Sequence, residues 1–466
     1  MAIPIAPPEF DAALIARYDM AGPRYTSYPP APQFRAEFDE LALRQAIRAS
    51  NEEPIPRPLS LYVHVPFCMS PCFYCDGNRV ITRDASHADR YLERLYREIE
   101  LIAPLFDRDR PVRQLHFGGG TPNFFDAACM RELMESLARH FSFSQLASRE
   151  YGIELDPRYA DGEYVRQLGE LGFNRLSVDI QDFDPAVQQA INRIQSFEQT
   201  RAVIDAARGA AFGSVSVDLI YGLPQQSLEG FGHTLEQVVA LNPDRVAVYG
   251  YAHLPELFKP QRQIDAAGLP DPATRLALFG RALAQLSAAG YVYIGLDHFA
   301  RANDELVVVQ RSGSLQRNFQ GYSIHGDCDI IGLGASAISR IGDSYSQSAR
   351  DLTGYYAALD VGRLPVVQGL ELDEDDVIRR ELIGELICHG KLDKAQFGAR
   401  HRLLFDEYFS AERQRLLPLI ADGLLREDAQ SLQVTSRGRL LLRIIAMCFD
   451  AYLGVEAQTP RYSRAI

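Results

Sequence analysis

Several features that define large protein classes are scarce or absent in this chain of 466 residues. Basic residues number 48 against 61 acidic ones, and the net charge of −13 argues against nucleic acid or an anionic membrane surface as a main partner. No run of 18 apolar residues occurs, so we expect no transmembrane helix. The first residues lack the basic start of a signal peptide.

Cysteine is also scarce, at seven residues. This number in a chain of this length is not a disulfide framework, and it favours a reducing, cytoplasmic compartment. We also expect the protein to be a monomer. Lysine is limited to Lys259, Lys391 and Lys394, so arginine supplies nearly all the positive charge. Codon bias is the simplest explanation for that imbalance.

The chain length predicts two or three domains. Residues 1–55 are a Pro-rich lead-in that we interpret as an N-terminal arm and candidate lid. Residues 56–350 alternate strand and helix patterns and form the predicted catalytic domain, and residues 351–466 form a predicted helical C-terminal domain. The barrel strand candidates are 61–65, 114–117, 151–155, 175–180, 214–221 and 245–251. The helix candidates are 88–103, 127–140, 163–171, 197–209, 227–241, 375–387, 394–397, 405–424 and 437–452.

Six successive β–α units indicate a parallel sheet, because each crossover between parallel strands needs a helix. The chain shows no Rossmann glycine fingerprint, which favours a barrel or partial barrel. The predicted fold class is therefore α/β, with a partial parallel (β/α)6 barrel between the arm and the C-terminal domain. A short β-hairpin is expected at about 423–434.

Three cysteines, Cys68, Cys72 and Cys75, lie within eight residues just after the first strand. Three neighbouring thiolates favour a soft metal. A closed zinc site needs four ligands, and no obvious fourth is nearby. A [4Fe–4S] cluster held by three cysteines keeps one iron open for another ligand. The spacing favours an iron–sulfur cluster over zinc or incidental thiols, at the mouth of the sheet where active sites collect.

The C-x3-C-x2-C spacing, with Tyr74 before the last cysteine, resembles the radical S-adenosylmethionine (SAM) superfamily. The Gly-rich turn "GGGTP" at 118–122, one β–α unit later, is the second feature of that resemblance. Glycines there let the backbone approach a ligand closely. The resemblance implies that SAM binds the open iron, and that the reduced cluster cleaves SAM to a 5′-deoxyadenosyl radical.

A closer resemblance, from about Arg24 onward, is to the oxygen-independent coproporphyrinogen III oxidases. It is carried by the segments "RYTSYPPAPQF", "LYVHVPFC", "HFGGGTPN", "DLIYGLPQQ", "GLDHFAR" and "QRNFQGYSIHGDCDIIGLGASAIS". It implies a radical SAM enzyme that converts two propionates of coproporphyrinogen III to vinyl groups, giving protoporphyrinogen IX in heme biosynthesis. It also implies a tetrapyrrole substrate, an external electron donor, and one or two molecules of SAM.

The resemblance assigns roles to particular residues. The cluster ligands are Cys68, Cys72 and Cys75, and the catalytic residues are Tyr62 and Gln320. The implied cofactor-binding residues are Tyr62, Gly119, Gly120, Thr121, Glu154, Gln181, Arg193, Asp218, Ile220, Ala252, Phe319 and Ile338.

Three of these side chains have a chemical reason for the role beside the resemblance. Glu154 at a strand end suits the SAM ammonium, although a barrel salt bridge would use it equally well. Arg193 suits a bidentate contact to the SAM carboxylate. Asp218 suits ribose hydroxyls, because a buried carboxylate needs a partner. For an apolar residue such as Ile338, a place in the core is a comparable interpretation.

The chain departs from the family pattern at three positions. Asp76-Gly77 follows the third cysteine, and Gly77 stands where the family has a fourth, non-ligand cysteine. Asp179 stands where a glycine is usual, and counting by two from Gln181 places it on the same strand face, in the lumen. Ile194 replaces an acidic residue. These departures keep two alternatives open, a heme-binding or heme-delivery paralogue and a radical SAM paralogue with altered tetrapyrrole chemistry.

Overall fold

A large twisted sheet forms the centre of the molecule. The computed structural model describes residues 7–210, 212–453, 462 and 464. Its strands are β1 (Leu59–Val65), β2 (Phe67–Cys68), β3 (Val80–Ile81), β4 (Pro111–Gly119), β5 (Ser142–Phe143), β6 (Glu150–Leu155), β7 (Arg175–Gln181), β8 (Ser214–Tyr221), β9 (Arg245–Gly250), β10 (Tyr291–Gly295), β11 (His298–Arg301), β12 (Gln316–Asn318), β13 (Gly321–Ser323), β14 (Asp329–Leu333), β15 (Ile338–Ile341), β16 (Ser344–Ser348), β17 (Val366–Glu371), β18 (Lys391–Asp393), β19 (Leu425–Glu427) and β20 (Ser431–Val434).

The helices lie mainly between these strands and in the last quarter of the chain. They are α1 (Ala12–Tyr18), α2 (Glu40–Asn51), α3 (Ser86–Ile102), α4 (Ala127–His140), α5 (Gly162–Glu170), α6 (Pro185–Ala190), α7 (Phe197–Gly209), α8 (Leu228–Leu241), α9 (Pro272–Ala288), α10 (Glu305–Ser312), α11 (Leu352–Asp360), α12 (Glu374–His389), α13 (Lys394–His401), α14 (Phe405–Tyr408), α15 (Ser410–Ala421) and α16 (Leu442–Met447).

The six predicted β–α strands pair in parallel in the order β1–β4–β6–β7–β8–β9. This confirms the partial (β/α)6 barrel. β14 adds a seventh parallel strand beside β1, and antiparallel strands extend both edges. The carboxyl ends of the six strands therefore share one rim, where the side chains that follow them meet.

Alternation along the strands gives the sheet a helix-covered face and a polar lumen. In β8, Val215, Val217 and Leu219 are at most 1% exposed, whereas Ser216 and Asp218 line a cavity on the other face. A parallel strand buried on both sides by helices would be apolar throughout. The polar face therefore marks the interior of the barrel as the place for a ligand.

The C-terminal part is mainly helical, with a three-stranded sheet of β18, β20 and β19. The predicted hairpin is confirmed by the antiparallel pairing of β19 and β20. Two helix predictions were too long. The stretch 405–424 is divided between α14 and α15, and in 437–452 only a 3-10 turn and α16 are helical. The predicted domain limits stay predictions, and residues 454–461, 463, 465 and 466 lie outside the described residues.

The N-terminal arm is attached to the last part of the chain rather than to the barrel alone. The Tyr25 hydroxyl donates to Asp450 at 2.9 Å, and Arg17 pairs with Asp422 at 2.6 Å. The Tyr28 hydroxyl accepts the Ala451 N–H at 3.1 Å. Its role as a lid stays a prediction. Within the described residues, no helix is both long and apolar enough to cross a membrane.

Candidate active site

The cysteine loop, residues 68–77, leaves the end of β1 at the carboxyl rim of the barrel. Neighbouring segments hold its backbone. The Pro71 carbonyl accepts from Asn192 at 2.7 Å, the Phe73 N–H donates to the Ile191 carbonyl at 3.0 Å, and the Tyr74 carbonyl accepts from Gln261 at 3.0 Å. The loop is therefore clamped by segments that follow β7 and β9.

Each thiol of the loop faces a donor from the protein. Cys68 Sγ accepts from the Thr121 hydroxyl at 3.4 Å. Cys75 Sγ accepts from the Gly77 N–H at 3.4 Å. Such donors stabilise sulfur that carries negative charge, as in a metal-bound thiolate.

Cys72 has the most strongly positive surroundings of the three. Its Sγ lies 3.5 Å from Arg158 and 3.6 Å from Arg193. Burial raises the pKa of Cys68 to about 11 and that of Cys75 to about 12, so a metal that binds these two thiols displaces their protons.

The Gly-rich turn packs directly against the loop. Gly119 has φ +111°, and a Cβ there would lie 2.5 Å from the His64 ring. A Cβ on Gly120 would lie 2.8 Å from the Val65 and Phe67 carbonyls. Only glycine fits this close approach between β4 and the loop, and the turn brings Thr121 to Cys68.

Glu154 is the residue before the last of β6, and it lines the lumen. It accepts from His116 Nε2 at 3.0 Å and from the Gly119 N–H at 3.3 Å. Burial acts to raise the pKa of Glu154, but these two donors outweigh it and lower the pKa. Glu154 is thus a carboxylate, with His116 and the glycine turn as its present partners.

Arg193 lies between the cysteine loop and two carboxylates. Its Nη1 is 3.2 Å from Asp156 Oδ2, and its Nη2 is 3.8 Å from Asp179 Oδ2 and donates to the Asp179 carbonyl at 3.1 Å. Its Nε has no partner among the described residues. Arg193 is therefore the basic partner that Asp179 requires, and the two carboxylates compete for it with any incoming carboxylate.

The predicted shared face of Asp179 and Gln181 was wrong. Gln181 has φ +67°, and the register against β8 shifts between these two positions. The bulge interrupts the two-residue alternation. Asp179 nevertheless faces other acidic side chains. Its enclosed position raises its pKa to about 6, with Arg193 opposing and Asp156 and Glu154 contributing.

The remaining predicted residues occupy different parts of the rim and lumen. Asp218 faces the lumen, where burial and the charges of Asp179 and Glu154 raise its pKa well above the usual value. Ile220, like Phe73 and Tyr74 of the loop, packs against a buried cluster that contains Ile191 and Tyr251. Ala252 lines a separate cavity of about 500 Å³.

The main cavity has a volume of about 540 Å³, and its lining includes Asn78, the residue that follows the cysteine loop. Tyr62, Glu154, Phe319, Gln320 and Ile338 line it together, so the fold gathers these predicted residues around one space. The space is of the size that holds a small-molecule ligand.

Two of these lining residues, Tyr62 and Gln320, make polar contacts with neighbouring side chains. The Tyr62 hydroxyl lies 3.3 Å from His64 Nδ1, and the Tyr62 ring stacks on His116 at 6.0 Å. Gln320 donates to the Ser60 hydroxyl at 3.3 Å, while its Oε1 has no partner among the described residues. That oxygen is available to a ligand.

These residues fit a cluster with SAM better than a single zinc ion. Within the described ranges, no three His, Cys, Asp or Glu side chains converge on one ion. Cys68, Cys72 and Cys75 are instead placed in one loop with a donor to each sulfur, as ligands of separate irons would be. A barrel of this kind with this loop defines a radical SAM enzyme.

The comparisons with known proteins agree with that class and narrow it. The Radical SAM superfamily model matches residues 62–238, and the HemN C-terminal domain model matches residues 372–441. The chain is 49% identical to the oxygen-independent coproporphyrinogen III oxidase of Pseudomonas aeruginosa and 46% identical to that of Escherichia coli. Each match covers 98% of this chain and 99% of the relative.

A solved structure extends the likeness to the fold. Coproporphyrinogen III oxidase from Escherichia coli, titled a radical SAM enzyme, superposes with a TM-score of 0.91 at 46% identity. The match covers 96% of this chain and 100% of that one. The chain belongs to the family of oxygen-independent coproporphyrinogen III oxidases, whose cofactors are a [4Fe–4S] cluster and SAM.

Sequence reasoning missed several residues of the site. His116, which binds Glu154, alternates with the buried Leu115 and Phe117 along β4, so a strict two-residue count would have found it. Asp156 and Arg158 follow β6 at the rim but carry no motif that the family resemblance highlights.

Proposed function

We propose that this chain catalyses the radical SAM oxidative decarboxylation of two propionates of coproporphyrinogen III, giving the two vinyl groups of protoporphyrinogen IX in heme biosynthesis. The observation that carries this proposal is full-length identity of 46–49% to oxidases of that name. It is supported by a cavity of about 540 Å³ that gathers the predicted residues Tyr62, Glu154 and Gln320 in its lining.

When bound, the cluster with SAM supplies a 5′-deoxyadenosyl radical that removes a hydrogen atom from the β-carbon of a propionate. Each propionate then loses CO₂ and one electron, which an external acceptor takes up. An external donor supplies the reducing electron. The chain is proposed to act without nucleic acid or a membrane, as a monomer.

The chain itself provides ligands, orientation and enclosure. Cys68, Cys72 and Cys75 would hold the cluster. Glu154 is a carboxylate suited to the SAM ammonium, and Arg193, with its free Nε, is suited to the SAM carboxylate. Each of these groups is fixed by further contacts, so little reorganisation is required at the moment of binding.

Tyr62, Phe319, Gln320 and Ile338 line the main cavity, where SAM and substrate would meet. Tyr62 holds the phenolic proton, because burial and the charge of Glu154 raise its pKa, and it can donate a hydrogen bond throughout the reaction. Burial, followed by the charge of Arg317, lowers the pKa of the neighbouring His298 to about 3 and keeps it neutral.

The test uses anaerobically purified and reconstituted protein. Iron and sulfide per chain, 5′-deoxyadenosine and porphyrin products are measured with reductant and SAM, with and without coproporphyrinogen III. We expect cluster-dependent SAM cleavage and protoporphyrinogen formation. SAM cleavage with coproporphyrinogen III unchanged would overturn the proposal, and a heme titration in parallel would then test delivery as the alternative.

A further inference from the structure

A small cavity of about 40 Å³ lies where the N-terminal arm, β12, β15 and α12 meet. Arg317, Arg340, Arg380 and Asn318 line it, and we name these four side chains the arginine cluster. They come from distant parts of the chain. None of the four is among the residues that we expect to bind the cluster or SAM.

Five buried nitrogen atoms of the arginine cluster have no hydrogen-bond partner among the described residues. They are Nε and Nη1 of Arg317, Nε of Arg340, Nη1 of Arg380 and Nδ2 of Asn318. A buried donor without an acceptor destabilises the folded state, and a charged donor does so more strongly. A fold that gathers five such donors at one cavity implies an acceptor there.

Two guanidinium groups of the cluster are held by bonds from their other nitrogen atoms, which fixes their free donors in place. Arg340 Nη2 donates to the Gly326 carbonyl at 2.9 Å and to the Cys328 carbonyl at 2.7 Å. Arg380 Nη2 donates to Asp343 at 2.6 Å. Asp343 is the one carboxylate that pairs with the cluster within the described residues.

The orientation of Asn318 is set by its backbone surroundings. Its Oδ1 accepts the Gln320 N–H at 2.8 Å, so its Nδ2 is the atom left to donate. Arg317 stands over the Tyr322 ring at 4.8 Å, which holds the guanidinium without using its donors. These contacts hold both side chains in place while their remaining donors stay without an acceptor among the described residues.

Positive charge accumulates at this point. Burial lowers the pKa of Arg340, and the charges of Arg380 and Arg57 lower it further against an opposing effect of Tyr345. Three guanidinium groups with one carboxylate between them repel one another. A bound anion would remove this repulsion and satisfy the free donors together.

We propose that the arginine cluster binds one carboxylate or carboxylate-sized anion in this cavity. The volume is a little more than the share of one water molecule in the liquid, about 30 Å³. The planar forks of arginine match the geometry of a carboxylate.

The anion has two possible sources, one on each side of the cluster. Thr26, Arg317 and Phe319 line both this cavity and the main cavity, so a propionate of the tetrapyrrole would reach the cluster from there. Arg340 and Arg380 also line an open groove of about 680 Å³, from which a free anion would enter. The propionate source rests on the proposed function, and the free-anion source does not.

The first experiment locates the anion directly. Crystals of the full chain are soaked in sodium bromide, and anomalous diffraction is measured for the wild type, Arg340→Met and Arg400→Met. Arg400 lines the same groove but is 44% exposed and paired with Glu385, so it is the matched control. We expect a bromide peak at the cluster in the wild type and in Arg400→Met, and none in Arg340→Met.

The second experiment separates the sources. Affinity for coproporphyrin III, a stable analogue with four propionates, is measured by fluorescence. For the propionate source, Arg340→Met weakens binding about tenfold or more, and coproporphyrin III removes the bromide peak. For the free-anion source, the peak persists and the affinity is unchanged.

The proposal is overturned if the wild type shows no bromide at the cluster and all variants bind coproporphyrin III equally. It is also overturned if the bromide peak survives in Arg340→Met. Arg380→Lys, which keeps a charge beside Asp343, serves as a second variant if Arg340→Met does not fold. Bromide binding needs no turnover, so failure of the oxidase reaction in the wild type would be a separate result.

Discussion

The cysteine loop and the arginine cluster lie beside the same main cavity but differ in how their polar groups are satisfied. Each thiol of the loop already has a donor, such as Thr121 for Cys68. In the arginine cluster, five buried donors have no acceptor within the described residues. The protein itself thus supplies the donors that the thiols need, whereas the acceptor for the five donors of the arginine cluster must come from outside.

The largest expected effect comes from the loop. Cys72→Ala should abolish both the iron–sulfur absorbance and SAM cleavage, because the thiolate and its two arginine contacts are lost together. Iron analysis and 5′-deoxyadenosine yield measure this. Cys129→Ala, far from the loop in sequence, is the control and should behave as the wild type. Full cluster content in Cys72→Ala would contradict the assignment.

Glu154→Gln tests the pre-formed contacts at the rim. The variant keeps the shape but removes the charge offered to the SAM ammonium, so we expect the KM for SAM to rise about 10- to 100-fold. Cluster content should not change, because Glu154 contacts no cysteine in the structure. An unchanged KM would show that Glu154 serves only as the partner of His116.

Gln320→Ala tests the other side of the main cavity. Within the part of the chain that the structure describes, its Oε1 has no hydrogen-bond partner and its amide nitrogen donates to Ser60. We expect protoporphyrinogen formation to fall about tenfold while SAM cleavage continues, since one substrate hydrogen bond is lost. The ratio of 5′-deoxyadenosine to porphyrin product measures this uncoupling. A parallel fall in both products would place Gln320 with the cofactor instead.

Asp179→Gly should have a smaller effect, of the opposite sign. Removing this carboxylate frees Arg193 for the SAM carboxylate, and we expect the KM for SAM to fall by about two- to fivefold. The pKa of Asp179, about 6, predicts how the affinity for SAM depends on pH. Below pH 6 Asp179 is protonated, so wild-type affinity should improve as pH falls from 7.5 to 5.5.

In Asp179→Gly this part of the pH profile should be flat. Asp179→Asn, which keeps the size of the side chain, distinguishes charge from crowding. If the KM for SAM falls in Asp179→Gly but not in Asp179→Asn, crowding of the lumen rather than charge explains the effect of Asp179.

Gly77→Cys is expected to have the smallest effect. A Cβ at Gly77 would lie 3.5 Å from Cys75 Sγ and 3.8 Å from the Gly119 carbonyl, which are ordinary contacts. We expect cluster content and SAM cleavage to stay within about twofold of the wild type. A large gain in protoporphyrinogen formation would instead show that the missing fourth cysteine limits this chain.

The sequence predicted the parts of the fold that follow local rules. The bounds of β8, α4 and α7 match the predictions because alternation and capping are encoded nearby, as in the capping box of Ser196 and Gln199. The cysteine spacing likewise is a local pattern. The fold class and the cysteine loop could therefore be predicted without coordinates.

The sequence did not predict side-chain positions that depend on an irregular backbone or on contacts between distant parts of the chain. The bulge at Gln181, with its positive φ, defeats any count by two along β7. The arginine cluster joins Arg317 to Arg380, and no periodicity links positions so far apart. The competition of Asp156 and Asp179 for Arg193 was equally invisible, because it depends on how loops meet at the rim.

The attachment of the arm to the last part of the chain also sets an order of assembly during synthesis. Arg24 and Thr26 line the main cavity, yet the neighbouring Tyr25 is held by Asp450, 425 residues later. The cysteine loop and its contacts up to Gln261 are translated long before that. Since chains fold from the N-terminal side as they emerge, the cluster site forms early on the ribosome. The arm can be fixed by Asp450 only after that residue has been translated, so a shorter nascent chain lacks the contact that holds this part of the cavity wall.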